Sequence, residues 1–143
     1  MKKAFLLVVF IIVFSCKDTD KNAVSFYFWR TQFALSKQEE KTLNDNKVAK
    51  LYVRYFDVAL QNNIPFPVKP IQFEKKAVKQ KIIPTIFIKN EVFLSENINI
   101  EKLSSNILKL INQINLANKI PNSEIQIDCD WSLKSRDKYM DFL

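Results

Sequence analysis

The amino-acid sequence predicts an α/β fold built on a parallel sheet, and two observations support this. Short runs of β-branched and aromatic residues recur along the chain, and they alternate with segments that carry helical periodicity or helix-capping residues. Consecutive parallel strands need a crossover connection, so this alternation is typical of parallel sheets covered by helices. With 48% hydrophobic residues, the chain has the apolar content of a folded core.

Four apolar runs are predicted to be strands, at residues 24–30, 50–58, 82–88 and 124–131. Pro84 stands near the beginning of the third run, where a missing backbone donor is tolerated. The order of the runs along the chain therefore predicts four βα-type units, each contributing one parallel strand.

The fourth run alternates cleanly between two faces. Ile125, Ile127 and Cys129 share one face, and Asp128 and Asp130 share the other. On the apolar face, Cys129 is interpreted as a small buried hydrophobe. A catalytic cysteine would need a base, and the chain has no histidine to serve as one.

Two of the predicted helices have recognisable first residues. Ser36 and Glu39 have the spacing of a capping box, which predicts a helix over 37–46. Isoleucine and leucine recur at helical spacing between 98 and 118, with Asn99 in position to cap the first turn.

The remaining segments contain a loop, a short strand and a last helix. Prolines predict a loop over 62–70, and a short edge strand follows at 71–73. A final helix is predicted to start at Ser135, with Tyr139 and Phe142 on its apolar side.

Absent residue types exclude several kinds of site. Without histidine there is no Ser-His-Asp or Cys-His centre and no HExxH zinc site. Without glycine there is no glycine-rich phosphate loop or GxGxxG turn, and two cysteines cannot hold a disulfide-rich fold together. The sequence predicts neither a cofactor nor a metal site.

The N-terminus is predicted to be an export signal. A basic start is followed by uncharged, apolar residues from Ala4 to Phe14, a run too short to span a bilayer as a helix. Residues 13–16 resemble the bacterial lipobox, in which the cysteine is acylated. This resemblance implies a lipoprotein signal peptide over 1–15, lipidation of Cys16 and a lipidated tether over 16–23.

Residues 16–20 are also similar to the tract that follows the lipid-bearing cysteine in Bacteroidetes surface lipoproteins. The implied location is the cell envelope, at the outer membrane or the cell surface, with the membrane as partner through the lipid. The chain carries 22 Lys+Arg against 15 Asp+Glu. The densest basic cluster, at 75–81, lies in a connecting segment, which favours a solvated surface over a nucleic-acid interface.

Polar residues follow the predicted strands at their carboxyl ends, where α/β folds bind ligands. Asp128 and Asp130 are the candidate catalytic residues, because a pair of nearby carboxyls can hold one proton for general acid work. The same pair could alternatively bind a hard divalent cation. Arg30, Arg54 and Asp57 are candidate substrate-binding residues.

Trp131 is a further candidate substrate-binding residue, and Trp131 or Trp29 would offer a stacking surface for a sugar. Each candidate also has a structural interpretation. Asp130 could cap a helix, Arg30 could pair with Asp57, and the tryptophans could be core residues.

Three stretches, at 26–30, 51–58 and 124–131 with the helix after it, resemble a bacterial family of uncharacterised exported proteins with a glycoside-hydrolase-like TIM barrel. The resemblance covers residues 24–143 and implies a partial (β/α) barrel of about four βα units. Because a complete barrel takes about 250 residues, the resemblance implies the N-terminal half of one, either truncated or in need of a partner. Its open sheet edges predict that the isolated chain self-associates.

The resemblance implies carbohydrate processing, with a non-catalytic surface lipoprotein that binds glycan or protein as the alternative. The 128–130 strand is also similar to the chitinase DxDxE signature, but Ser132 stands where that signature has its catalytic Glu. Residues 82–117 also resemble the second half of a thioredoxin fold, with a strand at 91–94. A thioredoxin-like lipoprotein without CxxC is therefore a third possibility.

Overall fold

The computed structural model describes residues 24–74, 78–121 and 124–143. The predicted signal peptide, Cys16 and the tether fall outside these ranges, as do Lys75 and Lys76 of the basic cluster. Within them, no helix is long and apolar enough to cross a membrane.

The described residues form a mixed α/β fold. The strands are β1 (Ser25–Phe28), β2 (Gln32–Phe33), β3 (Lys50–Gln61), β4 (Ile64–Val68), β5 (Gln72–Phe73), β6 (Lys81–Ile88) and β7 (Gln126–Asp128). The helices are α1 (Lys37–Asp45), α2 (Asn90–Leu94), α3 (Ile100–Asn118) and α4 (Arg136–Phe142).

The main sheet is mostly parallel, as the alternation predicted. Its strands lie in the order β1-β3-β6-β7, which is also their order along the chain, and neighbouring strands in this path are parallel. The four predicted strands are therefore the four parallel strands. β4 adds an antiparallel strand to β3, and β2 pairs with β5 in a small separate sheet.

One face of the main sheet holds the hydrophobic core beneath the helices. Leu43 of α1 and Ile111 of α3 belong to the same buried cluster as Val53 of β3 and Ile86 of β6. Tyr139 of α4 also belongs to this cluster, and its ring packs in a T-shaped arrangement with the ring of Phe93. Burial of these apolar side chains is the main driving force for this layered arrangement.

A bulge in β3 decides which side chains reach each face. The pairing of β3 with β6 shifts between Arg54 and Phe56, so that Tyr55 has no partner in the register. The Tyr55 hydroxyl donates to Oδ1 of Asn115 on α3 at 2.7 Å, and both residues are buried. The extra residue reverses the alternation of the strand, as β-bulges do.

Both helix starts predicted from the sequence are confirmed. Ser36 and Glu39 form a reciprocal capping box at α1, and the side chain of Asn99 accepts from the Lys102 amide at the start of α3. Leu43 is the buried residue of α1.

The structure corrects the sequence prediction at several places. Residues 64–68, predicted as loop, form β4, joined to β3 by Asn62 and Asn63, both of which have positive φ. β7 is three residues long and so covers only the middle of the predicted 124–131 strand. Residues 91–94 are helical, which contradicts the strand required by the thioredoxin-like alternative.

Candidate functional site

The face of the main sheet turned away from the core is lined by polar and aromatic side chains in successive layers. We call it the polar face, and the strand registers place on it the residues Tyr27, Tyr52, Arg54, Asp57, Ile83, Thr85, Phe87, Gln126 and Asp128. Ile83 is fully buried yet does not belong to the core cluster on the helix side. The middle of the polar face is therefore closed to solvent, although it does not belong to the core on the helix side.

Three aromatic rings form a stacked ladder at the β1 side of the polar face. Trp29 stacks on Tyr27 with ring centroids 5.9 Å apart, and Tyr27 stacks on Tyr52 at 5.1 Å. Trp29 is 48% exposed and Tyr27 is 52% exposed, so the end ring Trp29 and the middle ring Tyr27 are both partly open to solvent. The aromatic surface that these rings leave exposed can pack against the apolar face of a ligand ring.

Hydrogen bonds connect the ladder to the opposite edge of the sheet. The Tyr27 hydroxyl on β1 donates to Oε1 of Gln126 on β7 at 3.1 Å. The Tyr52 hydroxyl donates to Oε1 of Glu124 at 3.4 Å. Since β3 and β6 lie between β1 and β7, the Tyr27–Gln126 bond bridges the polar face.

Glu124 also forms ion pairs with two lysines at the start of β3 and β6, and it accepts a hydrogen bond from Lys50. Its Oε2 lies 2.8 Å from Nζ of Lys50 and 3.6 Å from Nζ of Lys81. Hydrogen bonding to Lys50 lowers the pKa of Glu124 and raises the pKa of Lys50. Glu124 is therefore held in its charged form.

Further along the polar face, Arg54 is buried and paired. Its Nε donates to Oδ1 of Asp57 at 2.7 Å, and its Nη1 donates to the Lys69 carbonyl at 3.3 Å. The neighbouring Thr85 hydroxyl is fully buried and has no hydrogen-bond partner among the described residues. Arg54 thus fixes the position of Asp57 rather than facing solvent.

Two carboxylates flank one aromatic residue at the carboxyl end of the polar face. Asp57 on β3 lies beside Phe87 on β6, and Phe87 lies beside Asp128 on β7. Both carboxylates point to the same face, because Asp57 follows the bulge. Asp128, predicted as catalytic, is thus brought together with Arg54 and Asp57, which were predicted to bind substrate.

The other predicted site residues lie elsewhere. Arg30 pairs with Glu39 of α1 at 2.7 Å, so the alternative of an Arg30–Asp57 ion pair is wrong. Asp130 is exposed beyond the end of β7, and the cap position of α4 is Ser135, so Asp130 does not cap that helix.

Trp131 is 42% exposed and stacks against Tyr139 of α4 at 6.4 Å, away from the ladder. Like Trp29, it is therefore not a core residue. Cys129 is half-buried, and burial, together with the charges of Asp130 and Asp128, raises the pKa of its thiol to about 11.

Sequence reasoning missed Tyr27, Tyr52 and the residues that they contact, Glu124 and Gln126. The signal was present in the alternation of residues 25–29 and 50–54, which puts the tyrosines on the face opposite the apolar residues. The described residues hold no group of three or more His, Cys, Asp or Glu that could bind a metal ion.

A groove of ≈ 270 Å³ lies away from this constellation, between β4 and α3. It is lined mainly by apolar side chains, including Phe56, Leu103 and Ile107. Charged side chains do not converge in this groove, so it has fewer groups than the polar face that could orient a ligand.

In comparisons with known proteins, no family model, no curated protein and no solved structure matches this chain.

Proposed function

We propose that this chain is a carbohydrate-binding protein whose ligand lies along the polar face. The stacked ladder of Trp29, Tyr27 and Tyr52 is the observation that carries the proposal. Trp29 and Tyr27 lie two residues apart on one edge of the sheet, and each is about half exposed, so a pyranose ring can pack against the ring surface that they leave open. Gln126 and Glu124, which contact Tyr27 and Tyr52, add hydrogen-bonding groups for sugar hydroxyls beside the rings.

We also propose that the fold is about half of a (β/α) barrel of the glycoside-hydrolase type. Support comes from the parallel strands, whose spatial order is their order along the chain, and from the helices α1 and α3, which share one face. Right-handed crossovers between consecutive strands give this one-sided arrangement. In such a fold, the polar face corresponds to the inside of the barrel wall.

The predicted lipid on Cys16 would make this an exported lipoprotein of the cell envelope, at the outer membrane or cell surface. A fully extended tether over 16–23 spans at most roughly 28 Å. The polar face would then work close to the membrane surface, on glycans that reach it there. Detection of a Cys16-linked diacylglyceryl group by mass spectrometry would test this part of the proposal.

Affinity gel electrophoresis against a panel of polysaccharides tests carbohydrate binding. We expect the native chain to be retarded by at least one polymer, and Trp29→Ala to lose most of this retardation. Trp131→Ala is the informative comparison, because it removes a tryptophan of similar exposure stacked at a different place. Loss in Trp131→Ala alone would contradict the role of the ladder, and no retardation by any polymer would contradict carbohydrate binding.

Glycoside hydrolysis is a second candidate function, favoured by the placement of Asp57 and Asp128 on either side of Phe87. Two strand spacings put their Cα atoms about 9–10 Å apart. Carboxylates about 6.5–9.5 Å apart suit an inverting mechanism, in which one acts as acid and the other activates water.

Hydrolysis has its own test on the polymers that the chain binds. Asp128→Asn and Asp57→Asn should each abolish release of reducing ends while retardation on the gel persists. Asp130→Asn should retain turnover, since Asp130 lies beyond the end of β7. If the native chain releases no reducing ends from a polymer that it binds, the hydrolase candidate is wrong and carbohydrate binding stands.

A further inference from the structure

Among the described residues, the positive charges at the start of the polar face outnumber the carboxylates that they meet there: two lysines share one glutamate. Lys50 and Lys81 share a single oxygen, Oε2 of Glu124, at 2.8 Å and 3.6 Å. Each ammonium group has three donors, so one carboxylate oxygen leaves most of them unused. The side chains of Lys50 and Lys81 are 38% and 40% exposed, so these donors are open to a ligand.

This surplus charge lies directly beside the aromatic ladder. Glu124 accepts from Tyr52 through its other oxygen, Oε1, so the ladder and the two ammonium groups meet at one residue. Lys50 and Lys81 are partners in the register of β3 and β6, two residues before Tyr52 and Ile83 respectively. Tyr52 is therefore the ladder ring nearest the two lysines, and a glycan of several rings that runs along the ladder from Trp29 would bring a substituent to them.

In the described part of the chain, the other charges on the polar face do not cancel this surplus. Arg54 and Asp57 neutralise each other in a buried pair, and Asp128 lies at the opposite, carboxyl end of the face. The protein as a whole carries a net charge of +7. An oxyanion is the substituent that matches the lysine end.

We infer that the polar face takes acidic glycans, with a sugar carboxylate or sulfate bound by Lys50 and Lys81 while the ring stacks on the ladder. This inference rests on the proposed carbohydrate binding and names its substrate class. A lysine ammonium group is a compact point charge, unlike the planar guanidinium of arginine. It can therefore bind either a planar carboxylate or a tetrahedral sulfate.

Matched polymers separate charge from ring recognition. Isothermal titration calorimetry of the full chain compares two pairs of polymers. The first pair is polygalacturonate and its methyl-esterified form, which keeps the sugar rings but lacks the charge. The second pair is dextran sulfate and dextran. We expect affinity for at least one charged polymer to exceed that for its neutral counterpart about tenfold at low ionic strength, and the difference to shrink in salt. The two pairs distinguish carboxylate from sulfate as the preferred anion.

Variants assign the effect to the lysines. Lys81→Gln should weaken binding of the charged polymer about three- to fivefold and leave binding of the neutral polymer unchanged, whereas Trp29→Ala should weaken both. Lys41→Gln is the matched control, because it removes one charge from α1, where Lys41 pairs with Asp45. An equal loss in Lys41→Gln would overturn the inference, since net charge alone would then explain binding.

The polymers also separate the inference from the proposed function. Equal affinity for charged and neutral polymers overturns the acidic-glycan inference and leaves carbohydrate binding standing. Binding to neither pair, and to no other polysaccharide of the panel, overturns both.

Discussion

Arg54 and Asp57 form an ion pair, Nε to Oδ1 at 2.7 Å, although they are three residues apart on one strand. In a regular strand, residues three apart point to opposite faces. The bulge at Tyr55 reverses the alternation between them and puts both side chains on the polar face. One inserted residue therefore joins a buried cation to a carboxylate of the candidate site.

Arg54→Met should destabilise the fold more than Arg30→Met. The Arg54 side chain is 8% exposed, and its loss leaves Asp57 and the Lys69 carbonyl without their donor, at a cost of about 1–3 kcal/mol. Arg30 pairs with Glu39 on the surface, where such pairs contribute less than about 1 kcal/mol. Urea unfolding of both variants measures the difference, and equal losses would contradict the buried pair.

Tyr55→Phe should destabilise the protein by about 1–2 kcal/mol, because Oδ1 of Asn115 loses its donor in the buried interior. Nδ2 of Asn115 already lacks a partner among the described residues. Asn115→Leu in the Tyr55→Phe background should recover stability, since both polar groups are then gone. Chemical denaturation of the single and double variants tests this, and a further loss in the double variant would count against it.

Stability should fall in acid through Glu124. Its pKa in the folded chain lies below the ordinary 4.5, so its contribution is present above 4.5 and is lost as the pH falls through the lower folded value. The raised pKa of Lys50 affects stability in alkali. Its contribution to the free energy of unfolding is fully present below pH 10.5 and is lost as the pH rises through the higher folded pKa. Melting temperatures of the native chain and Glu124→Gln should converge between pH 7 and pH 3. A constant gap would refute the linkage.

The Cys129 thiol should be a poor nucleophile. A pKa raised from 9.0 to about 11 lowers the thiolate fraction at neutral pH about a hundredfold, since each pKa unit is a factor of ten. Iodoacetamide alkylation of the Cys16→Ser chain, in which Cys129 is the remaining thiol, should be slower than that of a model cysteine peptide by about this factor. Alkylation at the rate of the peptide would show that the thiol is accessible and unperturbed.

Lys119→Gly should stabilise the protein by about 0.5–1 kcal/mol, because Lys119 ends α3 in the left-handed region with φ 56°. Glycine adopts this conformation without the side-chain clash that other residues carry there. Lys109→Gly, on an exposed position inside the same helix, should instead cost about 1 kcal/mol. Changes of the same sign in both variants would contradict this explanation.

Local chemistry made much of the fold predictable. The capping box at Ser36 and the cap at Asn99 depend on residues within one helical turn, so sequence spacing identified both starts. β4 was missed because Pro65 and Pro67 were interpreted as loop residues, whereas their missing donors are tolerated on an edge strand.

The candidate site was only partly predictable. Arg54, Asp57 and Asp128 lie on one face of the sheet. The face to which Asp57 points depends on the bulge in β3, and no residue type in that strand predicts a bulge. The contacts of Tyr27 with Gln126 and of Lys50 with Glu124 join residues 99 and 74 positions apart. Such contacts follow from strand order and register, which periodicity within a single segment does not contain.

The two prolines of β4 bear on how this protein would aggregate. Pro65 and Pro67 pair with Leu60 and Val58 in β3 but cannot donate to it, so their nitrogens face the outer edge of the strand. An incoming strand would find pyrrolidine rings there instead of amide donors. Fibril growth or strand exchange at high concentration would therefore begin at β1 or β7, the two end strands of the main sheet, which bear no proline.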